Sequence, residues 1–162
     1  MATGLGPGSG VALRQTVRNN STTVDIEKGA VVEIVNNAIG VLGTGDAILL
    51  GVQTAAAPSV KAIGVAEQLI RKGSAAGEGE WGHTVMLGVV EALAGAAVAA
   101  GDALAVQVAT GRLIRATAAQ VAANDAVGVA LTAAGANGDI FTAFVNFMNK
   151  GNTGSGYGGT AP

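Results

Sequence analysis

A short apolar-Gly-Val-apolar word recurs along this chain: IGVAEQ at 63–68, LGVVEA at 87–92 and VGVALT at 127–132. Around the first and third, the context recurs as well. KGAVVEIVNN (28–37) precedes IGVAEQ and GEGEWGHTVML (77–87) follows it. AGDALAVQVAT (100–110) precedes VGVALT and GANGDIFTAFV (135–145) follows it. Each set reads as a Gly-led strand, a variable excursion, a Gly-Val strand, a Gly-acid turn and a further strand. The order predicts two divergent copies of one β unit, about 25–90 and 95–148, packed as a sandwich or barrel.

Inside these segments the apolar period is two, the spacing of a strand with opposite faces. In GDIFTAFVNFM, Phe141, Ala143, Val145 and Phe147 alternate with Ile140, Thr142, Phe144 and Asn146. Both sets are largely apolar, which predicts a central strand or one covered by another subunit. Val32 and Ile34 share one face and Val31 and Val35 the other; Val24 and Ile26 are expected on a common face. Leu104, Val106 and Val108 fall opposite Ala103, Ala105 and Gln107. The one helical segment expected is TAAQVAAND (117–125), with Thr117 as cap and Asn124-Asp125 as its end. The fold class expected is therefore all-β.

Glycine and proline set the expected boundaries. Residues 1–20 read as an N-terminal arm, 21–148 as the folded domain and 149–162 as a Gly-rich tail with Tyr157 as its possible anchor. The hydrophobic fraction of 49% contains only 3% aromatic residues, so Ala, Gly and Val carry it. At about 25 cal/mol per Å², such side chains contribute little each, and assembly with other chains would supply the missing burial. A net charge of −2, with nine Lys and Arg scattered along the chain, argues against a nucleic-acid partner. No secretory signal is read at the N-terminus, and the Ala-rich stretch 91–111 carries Glu91, Asp102 and several glycines, against a membrane partner.

Chemistry-bearing groups are sparse. With no cysteine and the single histidine His83, a metal site or a Ser-His-acid triad lacks its companions. Asp46, Asp102 and Asp139 each follow glycine and Asp125 follows Asn124, as turn residues do. GLGPGSG and LGTGD lack the Gly-Lys-Ser/Thr ending of a phosphate loop. No cofactor, metal or catalytic residue is expected. The tail GNTGSGYGGTAP resembles the C-terminal motif of trimeric dUTPases, a rival reading as a nucleotide hydrolase, but the Arg that opens that motif is absent. A bacterial surface or fibre subunit is the other alternative.

The second half, with Gly101-Asp102, Gly111-Arg112, Val127-Gly128-Val129-Ala130-Leu131 and Gly138-Asp139 in order, resembles the capsid decoration (cement) proteins of tailed bacteriophages. That resemblance implies a non-enzymatic virion protein on the outer capsid surface, made in the host cytoplasm. It also implies a homotrimer that bridges subunits of the major capsid protein and stabilises the expanded shell. Inter-subunit contacts are expected at Arg14, Arg18, Trp81, Phe144, Phe147 and Tyr157.

Overall fold

The computed structural model describes residues 12–19, 21–39, 50–54, 62–75, 78–107 and 110–148. They form β1 (Leu13–Asn19), β2 (Val31–Ile39), β3 (Leu50–Thr54), β4 (Ala62–Ala66), β5 (Trp81–Leu93), β6 (Ala103–Val106), β7 (Leu113–Arg115), α1 (Ala118–Ala122), β8 (Gly128–Ala130) and β9 (Ile140–Asn146). The period of two holds most clearly in β9. Phe141, Ala143, Val145 and the following Phe147 are buried, while Ile140 and Phe144 face water. The strand is internal, paired to β5 on one side and β8 on the other. The helix starts at Thr117, whose hydroxyl accepts from Gln120 N while the Gln120 amide oxygen accepts from Thr117 N. It ends before Asn124, which takes a left-handed φ of 54°.

The strands close into two rings that share β5. In the first, β1 pairs β3, β3 pairs β2, β2 pairs β4, β4 pairs β5, and β5 returns to β1. In the second, the C-terminal half of β5 pairs β9, then β8, β6 and β7. A parallel bridge between Ala94 and Leu113 brings β7 back beside the end of β5. The result is a nearly closed, barrel-like, mostly antiparallel sheet.

The two rings match register for register. In unit 1, Val31 pairs Val65 and Val32 pairs Gly64; in unit 2, Ala103 pairs Val129 and Leu104 pairs Gly128. Val65 opposite Val85 corresponds to Val129 opposite Phe144. Arg14 through Arg18 lie on Val85 to Trp81 as Val89 through Leu93 lie on Phe144 to Ile140. Even the turns agree. Gly29 and Gly101 hold φ of 84° and 90°, and their amides donate to Ala66 O and Ala130 O at 2.8 Å each. The bridge between Ile26 and Ile70 recurs between Val98 and Ala134. The duplication read from the sequence is thus present in the topology.

Each unit begins one strand earlier than the sequence suggested. Leu13–Asn19, expected within the N-terminal arm, is strand β1, with Val17 and Asn19 fully buried. The LGVVEA word lies in the second half of β5 and corresponds to β1, not to β4 or β8. Val24 and Ile26 do not share a face: Val24 is exposed, and Ile26 is buried by its bridge to Ile70. Residues 1–11 and the tail 149–162 lie outside the described residues, as does Val108.

Among the described residues, the buried apolar side chains form two hydrophobic clusters. The interior of unit 1 holds Val17, Ile26, Val32, Ala66 and Ile70. The interior of unit 2 holds Leu104, Leu113, Ala130, Phe141 and Ala143, and this cluster takes in Val31, Val65 and Val85 from the outer side of unit 1. Unit 2 therefore packs against the outer wall of unit 1, tied there by Val31 N to Gly111 O at 2.7 Å and Phe147 N to Met86 O at 2.9 Å.

Candidate interaction surface

The strand periodicity that turns Val17 and Asn19 inward turns Arg14, Thr16 and Arg18 outward, onto the wall of unit 1. There they meet partners from β5 and from the segment between β4 and β5. Arg14 Nε donates to both carboxylate oxygens of Glu67, at 3.0 and 2.9 Å. That hydrogen bond and the adjacent negative charge push the Arg14 guanidinium up from its ordinary pKa. Thr16 Oγ1 lies 3.3 Å from His83 Nδ1. The Arg18 guanidinium sits 5.5 Å over the Trp81 ring, within cation–π range, and donates through Nε to Gly79 O. Trp81 remains 43% exposed.

The wall of unit 2 is built from the corresponding positions but differs in character. Val89 stands where unit 1 has Arg14, and Leu131 stands where it has Glu67. The pair of Arg18 and Trp81 corresponds to Leu93 and Ile140, and Val85 corresponds to Phe144. Val129, Leu131, Ile140 and Phe144 are all exposed. Where the two units meet, Lys28 pairs Glu91 at 2.5 Å, and a cavity of about 520 Å³ opens between Arg14, Lys28, Glu67, Val89, Glu91 and Thr142.

Of the residues expected at contacts, Arg14, Arg18 and Trp81 are thus brought together on one wall and Phe144 lies on the other. Phe147 is different. It continues the inward set of β9, is 5% exposed, and packs in the core of its own chain. Its bulk is committed to folding, so in this structure it offers no surface to a partner. Tyr157 lies outside the described residues. Sequence reasoning missed Val89, Val129 and Leu131, although the repeat alignment could have flagged an apolar residue replacing Glu67. Among the described residues, no three His, Cys, Asp or Glu side chains group closely enough to hold a metal ion. No helix among them is long and apolar enough to cross a membrane.

The fold is similar to that of a solved phage protein, the N base of head fiber gp8.5 of bacteriophage phi29. The TM-score is 0.56 at 18% sequence identity, covering 85% of this chain and 96% of that one. No family model matches the chain, and no curated protein does. The likeness defines the architecture these two chains share: a nearly closed all-β barrel-like fold.

Proposed function

We propose that this chain is a structural protein of a bacteriophage virion, bound to the outside of the head. The observation that carries this reading is the end-to-end structural likeness to the phi29 head fiber base. The resemblance of residues 88–147 to capsid decoration proteins supports it from the sequence side. Binding works by covering surface, so the reading assigns no catalytic step. The chain assembles as a homotrimer and bridges subunits of the major capsid protein. A protein that binds the expanded lattice and not the unexpanded one stabilises it by RT ln(1 + [L]/Kd) per site, repeated over the shell. The polar wall of unit 1, with Arg14, Arg18 and Trp81, is the capsid-facing candidate: Trp and Arg are the residue types that most often anchor interfaces.

The test is co-sedimentation of the purified chain with expanded and unexpanded empty heads. Pelleting with expanded heads, reduced by Arg18→Ala and Trp81→Ala, is the expected result. Equal absence from both pellets overturns the reading. The dUTPase alternative is checked with the same material, since pyrophosphate release from dUTP with Mg²⁺ would establish it.

A further inference from the structure

We infer that the outer wall of unit 2, centred on Val89, Phe144, Val129 and Ala103, is where a second copy of this chain docks. The chain carries its own control for this. Ala103, Val129 and Phe144 are register partners across three strands, and they correspond position by position to Val31, Val65 and Val85. In unit 1 all three of those valines are 0% exposed, because the apolar interior of another unit of the same fold covers them. In unit 2 the same row stands open, with Val129 43% and Phe144 41% exposed. The fold therefore shows what covers such a row: apolar side chains of a further unit.

Charge points the same way. Where the wall of unit 1 faces water, it carries Arg14 and Glu67 as an ion pair. Unit 2 puts Val89 and Leu131 at those two positions, so its wall is more apolar exactly where unit 1 is charged, and no charged side chain stands in the row. Around the cavity beside Val89 the charges are paired, Lys28 with Glu91 and Arg14 with Glu67. A second copy carries a net charge of only −2, so like-charge repulsion between copies is small.

The area fits as well. Val89, Phe144, Val129 and Ala103, with Leu131 and Ile140 beside them, expose on the order of 350 Å² of apolar surface, the size of patch that often marks an interaction site. Stable interfaces bury about 800 Å² per partner, of which such a patch makes the apolar centre.

The inference rests on the self-association in the reading above and not on the phage head. It is tested without capsids, by sedimentation velocity of the full chain over a range of concentrations, with urea midpoints measured alongside. The wild type is expected to assemble. Phe144→Glu is expected to weaken assembly by about thirtyfold or more, the loss seen at an interface hot spot. Should that variant fail to fold, Val89→Arg/Leu131→Glu transplants the ion pair that unit 1 already accommodates at the same positions. It is expected to fold and to sediment as a monomer. Val24→Glu, an exposed apolar position away from this wall, is expected to leave assembly intact.

A wild type that is monomeric at every concentration overturns the proposal, as does an Arg/Glu double variant that still assembles. A wild type that stays monomeric until residues 149–162 are removed assigns the wall to the chain's own tail, which also overturns it. Intact assembly with no binding to heads sinks the virion reading and leaves this one standing.

Discussion

Gly29 and Gly101 occupy the same turn in the two units, and replacing each with alanine separates two costs that are usually entangled. Both glycines hold a positive φ, 84° and 90°, with equivalent hydrogen bonds from their amides. An alanine there pays about 1–2 kcal/mol for the left-handed backbone and regains roughly 0.4–1 kcal/mol because the unfolded chain is stiffer. At Gly101 that is the whole effect, since a Cβ would meet no atom within 4 Å. At Gly29 the new Cβ falls 2.9 Å from Leu93 N, 3.1 Å from Ala92 C and 3.2 Å from Ala92 Cα. All three are backbone atoms of β5, which cannot swing aside. Overpacking of that kind adds about 1–3 kcal/mol. Gly101→Ala is therefore expected to cost about 1 kcal/mol and Gly29→Ala about 2–4 kcal/mol. With a urea slope of about 2 kcal/mol per molar, the two midpoints should differ by roughly 0.5–1.5 M, at unchanged slope. Equal midpoints, or a larger loss at Gly101, would refute both the equivalence of the turns and the close approach of Gly29 to β5.

Phe144 of β9 and Phe147 just beyond its end should behave oppositely. Phe147→Ala opens a cavity in the larger core and is expected to cost about 3–5 kcal/mol by urea unfolding of the dissociated chain. Phe144→Ala in the same assay should cost less than about 1.5 kcal/mol, since its side chain is 41% exposed. Asn19 is fully buried, with its amide donating to Val24 O at 3.1 Å and Ile70 O at 2.9 Å and its oxygen accepting from Ser21 N at 2.8 Å. Asn19→Ala strands those groups and is expected to cost about 1–3 kcal/mol, with amide exchange accelerated around Ser21. Arg14→Met, by contrast, should leave the urea midpoint almost unmoved, because exposed ion pairs contribute about 0–1 kcal/mol.

Much of the architecture was legible wherever a strand has one buried face. In β9 the alternation of Phe141, Ala143 and Val145 with exposed neighbours is written directly in the residues, and the capping signal at Thr117 is equally local. The repeat words placed β2, β4 and β6, β8 in corresponding roles. β1 was not legible, because only Val17 and Asn19 of its seven residues are buried and Arg14 and Arg18 give it the look of a solvated arm. The length of β5 was hidden for another reason: its two halves serve different barrels, so no single pattern of burial runs through Trp81–Leu93. The surface was legible by residue type and not by place. Trp81 is exposed as an aromatic beside glycine suggested, but Phe144 and Phe147, expected alike from a strand apolar on both faces, separate: Phe144 faces out and Phe147 goes to the core, because the strand's own period continues through it. The apolar replacement of the Arg14 and Glu67 pair in unit 2 emerges only once the register is known.

Because β5 is the last stave of one barrel and the first of the next, no single cut gives both halves of this molecule the whole of that strand. A cut just after Leu93 leaves the first ring whole and strips the second of a stave; a cut at Gly88 leaves the second ring its strand and keeps Trp81–Leu87 for the first, but severs the covalent splice between them. Opening either ring loosens the other through that common strand, so the duplicated fold should melt in one step, where two barrels on a linker would melt in two. For a chain of small side chains, sharing a strand turns two thin cores into one cooperative body.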